Sequence, residues 1–213
     1  MPSRDRLRPL KAWRYVGVYG PEVMLCAATV RIGPARQSFW AVWDRGSKRL
    51  HDRTALGSVG VRLAVGRLQI DNDDVRVDIE LDEEAGIETV CPTGASYAWT
   101  RKQGGIGARG EVALGAHVHR LDARAVIDDT AGYYERHTRW HWSAGVGTAT
   151  DGRSIAWNLV AGVNDPTVGS ERTVWVDGEP REPAPVEFDA GLTSIRFGDG
   201  RTLGFRPEAM RAR

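Results

Sequence analysis

The sequence predicts an all-β protein of antiparallel strands closed into barrels, and three observations carry that expectation. Runs of four to eight alternating residues recur along almost the whole chain, the period-two signature of half-buried strands. Asp-Gly pairs at 151–152, 177–178 and 199–200 fall between such runs and supply the positive φ angles that tight hairpins require. The chain also carries 25 glycines, which suit the bent strands of small barrels, and no long helical stripe with caps competes with this reading. So many strands without covering helices are most economically protected by closure, which removes exposed edges.

In chain order, the strands bounded by glycine-, aspartate- and proline-rich turns are Trp13 to Tyr19, Val23 to Ile32, Ser38 to Asp44, Val59 to Val65, Val75 to Leu81, Ile87 to Cys91 and Tyr97 to Arg101. They continue with Val112 to Leu121, Ala123 to Ile127, Tyr134 to Thr148, Ser154 to Val160, Thr173 to Val176, and Thr193 to Phe197 paired with Arg201 to Phe205. Pro207 to Arg213 is expected to form a short helical tail. Pro183 and Pro185 mark a loop rather than a linker, so residues 1–213 read as a single all-β unit, divisible into halves at 12–105 and 106–206. Trp40-Ala41-Val42-Trp43 and Trp140-His141-Trp142 hint at equivalent aromatic strands in those halves.

Composition removes several function classes. With 29 basic against 28 acidic residues and no long one-signed run, there is no electrostatic footprint for nucleic acid. The apolar stretch after the basic N-terminus is broken by Arg14, Pro21 and Glu22, so neither a signal core nor a spanning helix is expected. Two cysteines, Cys26 and Cys91, allow at most one bridge, and their settings suit small buried hydrophobes. A soluble cytoplasmic protein is the expectation. Gly104-Gly105-Ile106-Gly107 lacks the strand-to-helix context of a dinucleotide loop, and no nucleophile elbow is present, so no cofactor is expected.

The segment Gly132 to Gly145 concentrates histidines, tryptophans, tyrosines and charges. Read as an extended strand, it places Tyr133, Glu135, His137, Arg139, His141 and Ser143 on one face and Tyr134, Arg136, Thr138, Trp140 and Trp142 on the other. His137 and His141 then lie about 13 Å apart, too far to share a metal. His117 and His119, two apart on one strand face, are the better-spaced chelating pair; hydrogen-bonded or surface histidines are the simpler reading. Eight tryptophans, where ordinary usage gives about three or four, suit an amphipathic cavity or a filled barrel interior alike. Trp157 and Leu159 share a face, with the Asn158 amide on the other.

The run Ile127-Asp128-Asp129-Thr130-Ala131-Gly132-Tyr133-Tyr134-Glu135-Arg136-His137-Thr138-Arg139-Trp140-His141-Trp142-Ser143-Ala144-Gly145 resembles the signature of a bacterial family known as a domain of unknown function. The segments 156–166, 171–178, 13–20 and 39–44 resemble it too. That family in turn resembles, more distantly, the lipocalin-like double-barrel group of carotenoid 1,2-hydratases and tocopherol cyclases. The resemblance implies a calycin-type fold of two barrel-like halves and a pocket for a hydrophobic small molecule, with acid-assisted hydration or cyclisation in some relatives. The chain departs from true lipocalins in lacking a Gly-x-Trp start on its first strand, and it is short for two complete barrels.

Two functional expectations follow. In the first, a hydrophobic, lipid- or isoprenoid-like molecule is bound in a cavity lined by Tyr134, Arg136, Trp140, Trp142, Trp157 and Asn158. In the second, Asp129, Glu135 or His137 donates a proton in a pocket whose apolar wall raises a carboxyl pKa, while aromatic faces stabilise a developing cation. The competing structural readings are a turn at Asp128 to Gly132 and a solvated Glu135–Arg139 ion pair. A purely structural or interaction domain is the third option.

Overall fold

In the computed structural model, which describes residues 1–58 and 60–209, every regular element among the described residues is a β-strand. A small pair, β1 (Arg4–Asp5) and β2 (Arg8–Pro9), precedes β3 (Lys11–Tyr19), β4 (Val23–Ile32), β5 (Ala35–Asp44), β6 (Arg49–Leu56), β7 (Val61–Ala64), β8 (Arg67–Asn72) and β9 (Val75–Leu81). There follow β10 (Ile87–Thr93), the long strands β11 (Ser96–Leu114) and β12 (His117–Gly132), β13 (His141–Thr148), β14 (Ser154–Ala161) and β15 (Thr173–Val176). The chain ends with β16 (Glu179–Arg181), β17 (Val186–Phe188), β18 (Ser194–Phe197) and β19 (Thr202–Gly204).

One large antiparallel sheet runs β6-β5-β4-β3-β12-β11-β9-β8-β7, with β10 added alongside β11. It curls until β7 lies against β4 and β5, so that Trp40 and Val42 meet Val61, Leu68 and Ile70 in one apolar core. β9 shows the sequence logic plainly: Val75, Val77, Ile79 and Leu81 point into this core, and Arg76, Asp78 and Glu80 point to water.

β12 behaves differently. Residues 125–130 are all buried without alternation, which a strand achieves only when both faces of its sheet are covered. The cover on the outer face is a second sheet, β13-β14-β15-β16. A third, β17-β18-β19, closes over the far side of β14 around Leu159, Val186 and Ile195, with Trp157, Phe188 and Phe205 at its margin. β11 bends between its two partners at a bulge after Gly104, where Gly105 takes φ +78°, a conformation open to glycine. At Gly104 a Cβ would stand 2.4 Å from the Trp175 ring, so the bare backbone lets β15 dock.

Most predicted strands stand, with several revisions: β1, β2, β6, β8, β16 and β17 were assigned to no strand in the sequence reading, and Ala123 to Ile127 is the middle of β12, which runs on to Gly132. The expected Tyr134 to Thr148 strand begins only at His141; residues 133–140 form an irregular connection. The expected Val112 to Leu121 strand is split by a turn at Gly115-Ala116, with Gly115 at φ +60°. The span between Arg101 and Val112, assigned to no strand in the sequence reading, is the middle of β11. Pro207 to Ala209 are irregular, and the rest of the expected helical tail lies outside the described residues, as does Val59 at the start of another expected strand. All three Asp-Gly pairs turn between antiparallel neighbours, and at 177–178 both residues have positive φ, +52° and +86°.

Candidate functional site

Asp128 and Asp129 are chain neighbours on β12, so their side chains leave opposite faces of the sheet. Far from forming a turn, both are paired in the ladder, Asp129 between Arg14 and Arg101 and Asp128 between Tyr15 and Lys102. Each nucleates a separate polar site.

On the inner face, Asp129 sits at the mouth of the first barrel. Its two oxygens accept hydrogen bonds from Arg14 Nη1 at 3.0 and 2.8 Å and from Arg101 Nε and Nη2 at 3.1 and 2.6 Å. Glu83, on the loop after β9, completes the ring, bonding Arg14 Nη2 at 2.5 Å and Arg101 Nη2 at 2.7 Å, with a further bond from the Gly66 amide. Burial alone would raise the Glu83 pKa, but the arginines and the Gly66 N–H outweigh it and hold the carboxyl below its usual range. Two guanidiniums and two carboxylates thus form a closed, neutral ring. Above it opens a cavity of about 600 Å³, walled by Ala12, Thr29, Ser38, Val61, Trp99 and Ala131 and rimmed by Arg31 and Arg36.

On the outer face, the Lys102 ammonium is buried beneath the second sheet at 2.5 Å from Asp128 Oδ1 and 3.2 Å from Glu171 Oε2, with Thr130 Oγ1 at 3.3 Å. Glu171 comes from the loop between β14 and β15 and is itself buried. Asn164 Nδ2 bonds both Glu171 Oε2, at 3.1 Å, and the Tyr134 hydroxyl, at 2.7 Å. The loop is held from within: the buried Arg172 guanidinium donates to the carbonyls of Asp165 and Pro166 at 3.1 and 2.9 Å. Glu182 accepts the amides of Gly169 and Ser170. One ammonium therefore faces two carboxylates away from water. Burial raises the Glu171 pKa, with Asp128 pushing the same way against the pull of Lys102. Burial would lower Lys102, but its two acid partners outweigh that and raise it. Cys91, beside the same loop, is pushed up to about 11 by burial.

The other residues singled out from sequence are scattered. Glu135 and His137 are exposed on the irregular connection; Glu135 pairs with Arg8 at 3.2 Å, not with Arg139. Arg136 is exposed. Trp140 is half exposed beside a cleft of about 50 Å³ shared with Trp13, Tyr134 and Val163. Tyr134 is buried, stacked on Trp13 with ring centroids 5.6 Å apart. Trp142 meets Tyr15 edge-on and donates to Asn158 Oδ1 at 2.8 Å, and Asn158 Nδ2 reaches the Glu171 carbonyl at 3.1 Å. Trp157 lies on the opposite face of β14, bonded to Ser143 Oγ at 3.0 Å and beside Phe205. The three tryptophans therefore line no common cavity. His117 is exposed and packs edge-on against the buried His119, whose Nδ1 lies 3.3 Å from Glu22. Among the described residues no group of three histidine, cysteine, aspartate or glutamate side chains is placed to hold a metal ion.

Sequence reasoning missed Lys102, Glu171, Arg14, Arg101 and Glu83. The available signal was the Asp128-Asp129 pair inside a strand-like run, since alternation obliges two adjacent acids to find partners on both faces.

The chain is similar in structure to an AttH-like protein from Nitrosomonas europaea, at 13% identity and TM-score 0.54, covering 95% of this chain and 79% of that one. It is also similar to kievitone hydratase from Nectria haematococca, at 12% identity and TM-score 0.56, covering 88% and 72%. The fold is thus of the all-β, lipocalin-like barrel class. Residues 57–190 match the family described as Domain of unknown function (DUF2804). The chain belongs to that family. A search of curated proteins finds no sequence match. Among the described residues no helix is long and apolar enough to cross a membrane.

Proposed function

We propose that this protein binds a hydrophobic, lipid- or isoprenoid-like small molecule in the open mouth of its first barrel. The observation that carries the reading is the cavity of about 600 Å³, of ligand size, with a largely apolar wall and a few convergent polar groups. The neutral Arg14–Asp129–Arg101–Glu83 ring forms the floor, its four charges paired with one another. Neither Cys26 nor Cys91 forms a disulfide, which fits a reducing compartment such as the cytoplasm. The test is native mass spectrometry of protein purified gently from its own host, set beside Thr29→Trp, which fills the mouth. A co-purifying small molecule that is lost in the variant supports the reading; an empty wild-type spectrum, or a molecule retained in the variant, overturns it.

A second reading, acid-catalysed hydration or cyclisation, is favoured by one arrangement. Glu171, its carboxyl raised in pKa, lies one hydrogen bond from Asn164 and two from Tyr134, beside the Trp13–Tyr134–Trp140 cleft. On this reading Glu171→Gln abolishes turnover of an isoprenoid alkene while leaving its binding intact. Turnover retained in that variant excludes Glu171 as the acid.

A further inference from the structure

The rim of the first barrel carries a charge that the floor does not neutralise. Arg14 and Arg101 are each paired with both Asp129 and Glu83. Arg31 and Arg36 are different. They stand directly opposite one another across the β4–β5 ladder, on the face that lines the cavity. Both are exposed, and among the described residues neither forms an ion pair with a carboxylate. Like charges in register on a sheet face repel and destabilise the pair, and two guanidiniums side by side present paired N–H forks that match an oxyanion.

We infer that Arg31 and Arg36 bind the anionic head group, a carboxylate or a phosphate monoester, of an amphiphile whose apolar body lies in the mouth. The inference rests on the barrel-mouth reading above and adds the head-group class to it. The head group lies at the rim between the two guanidiniums, and the tail runs inward past Thr29 and Val61. An anion there removes the repulsion between the two arginines, so part of the binding free energy comes from relieving a cost present in the empty protein. Replacing the arginines therefore leaves the empty protein no less stable than before.

The test is an equilibrium titration of the full chain, followed by tryptophan fluorescence, with dodecanoate, dodecyl phosphate and dodecanol below their aggregation limits. Both anions are expected to bind about tenfold more tightly than the alcohol, an advantage that added salt reduces. In Arg31→Gln/Arg36→Gln the advantage disappears, while dodecanol binds as before and the thermal midpoint of the empty protein does not fall. The tighter of the two anions identifies the head group. If dodecanol binds wild type as tightly as the anions, or if the double variant keeps the preference, the head-group inference is wrong and the cavity reading stands. If none of the three binds, the cavity reading falls with it.

Discussion

The barrel-mouth ring and the Lys102 cluster share the strands β11 and β12, one residue out of step, and they solve opposite problems. The ring, Arg14–Asp129–Arg101–Glu83, is balanced in charge and lies beneath an open cavity. The cluster sets one ammonium against Asp128 and Glu171 beneath a second sheet. A balanced ring tolerates water at its edge because each charge has several partners. An unbalanced, sealed cluster must adjust its protons instead, and the raised pKa of Glu171 is that adjustment.

The comparison is broken most directly at Lys102. Lys102→Met leaves two carboxylates buried without their cation, and a loss of about 3–5 kcal/mol in unfolding free energy is expected. Denaturant titration measures it, and a loss under 1 kcal/mol would show that water already reaches the cluster. In the ring, Arg101→Met should cost less, about 1–3 kcal/mol, because Arg14 continues to hold both acids. If the two variants prove equally damaging, the ring is as sealed as the cluster and the contrast is lost.

Smaller effects separate the sites by pH. Glu171 holds its proton more tightly folded than unfolded, so its contribution is whole below its ordinary pKa of 4.5 and is lost as pH rises above it. Glu171→Gln should flatten that decline in the stability–pH curve. Lys102, raised above 10.5, keeps its contribution up to that pH and loses it through the alkaline range. Glu83 is lowered, so its contribution is whole above pH 4.5 and is lost on acidification. The smallest expected change is in Glu83→Gln, which should reduce the acid-side slope alone. An unchanged acid limb in that variant would remove the distinction between an acid-labile mouth and an alkali-labile interior.

How much of this was legible depended on which faces are covered. β9 has one wet face and one dry face, so its alternation located it to the residue. β4 and β15 were likewise bounded correctly. β11 was broken up because Arg101-Lys102-Gln103 reads as a polar gap when no second sheet is assumed; the structure buries Lys102 and Gln103 between layers. The 133–140 segment misled in the other direction. Its alternating aromatics and charges imitate a strand, but the backbone leaves the sheet after Gly132 and sends Glu135, Arg136 and His137 to the surface. Of the expected site residues, Asp129 was placed beside a cavity. Its partners Arg14, Arg101 and Glu83 are separated from it by up to 115 residues, a proximity that only the sheet order reveals.

The long β11–β12 hairpin also bears on how the chain reaches this structure. Its two strands pair from Leu114–His117 at the turn out to Ala98–Gly132, all within one contiguous stretch, and so need only a short loop closed to begin. Arg14 and Glu171 join distant parts of the chain to that hairpin. Local pairings form fastest, so β11 and β12 are the expected template of folding. β3 and the Glu171 loop then arrive from either end of the sequence, and each neutralises the charges waiting on its own side.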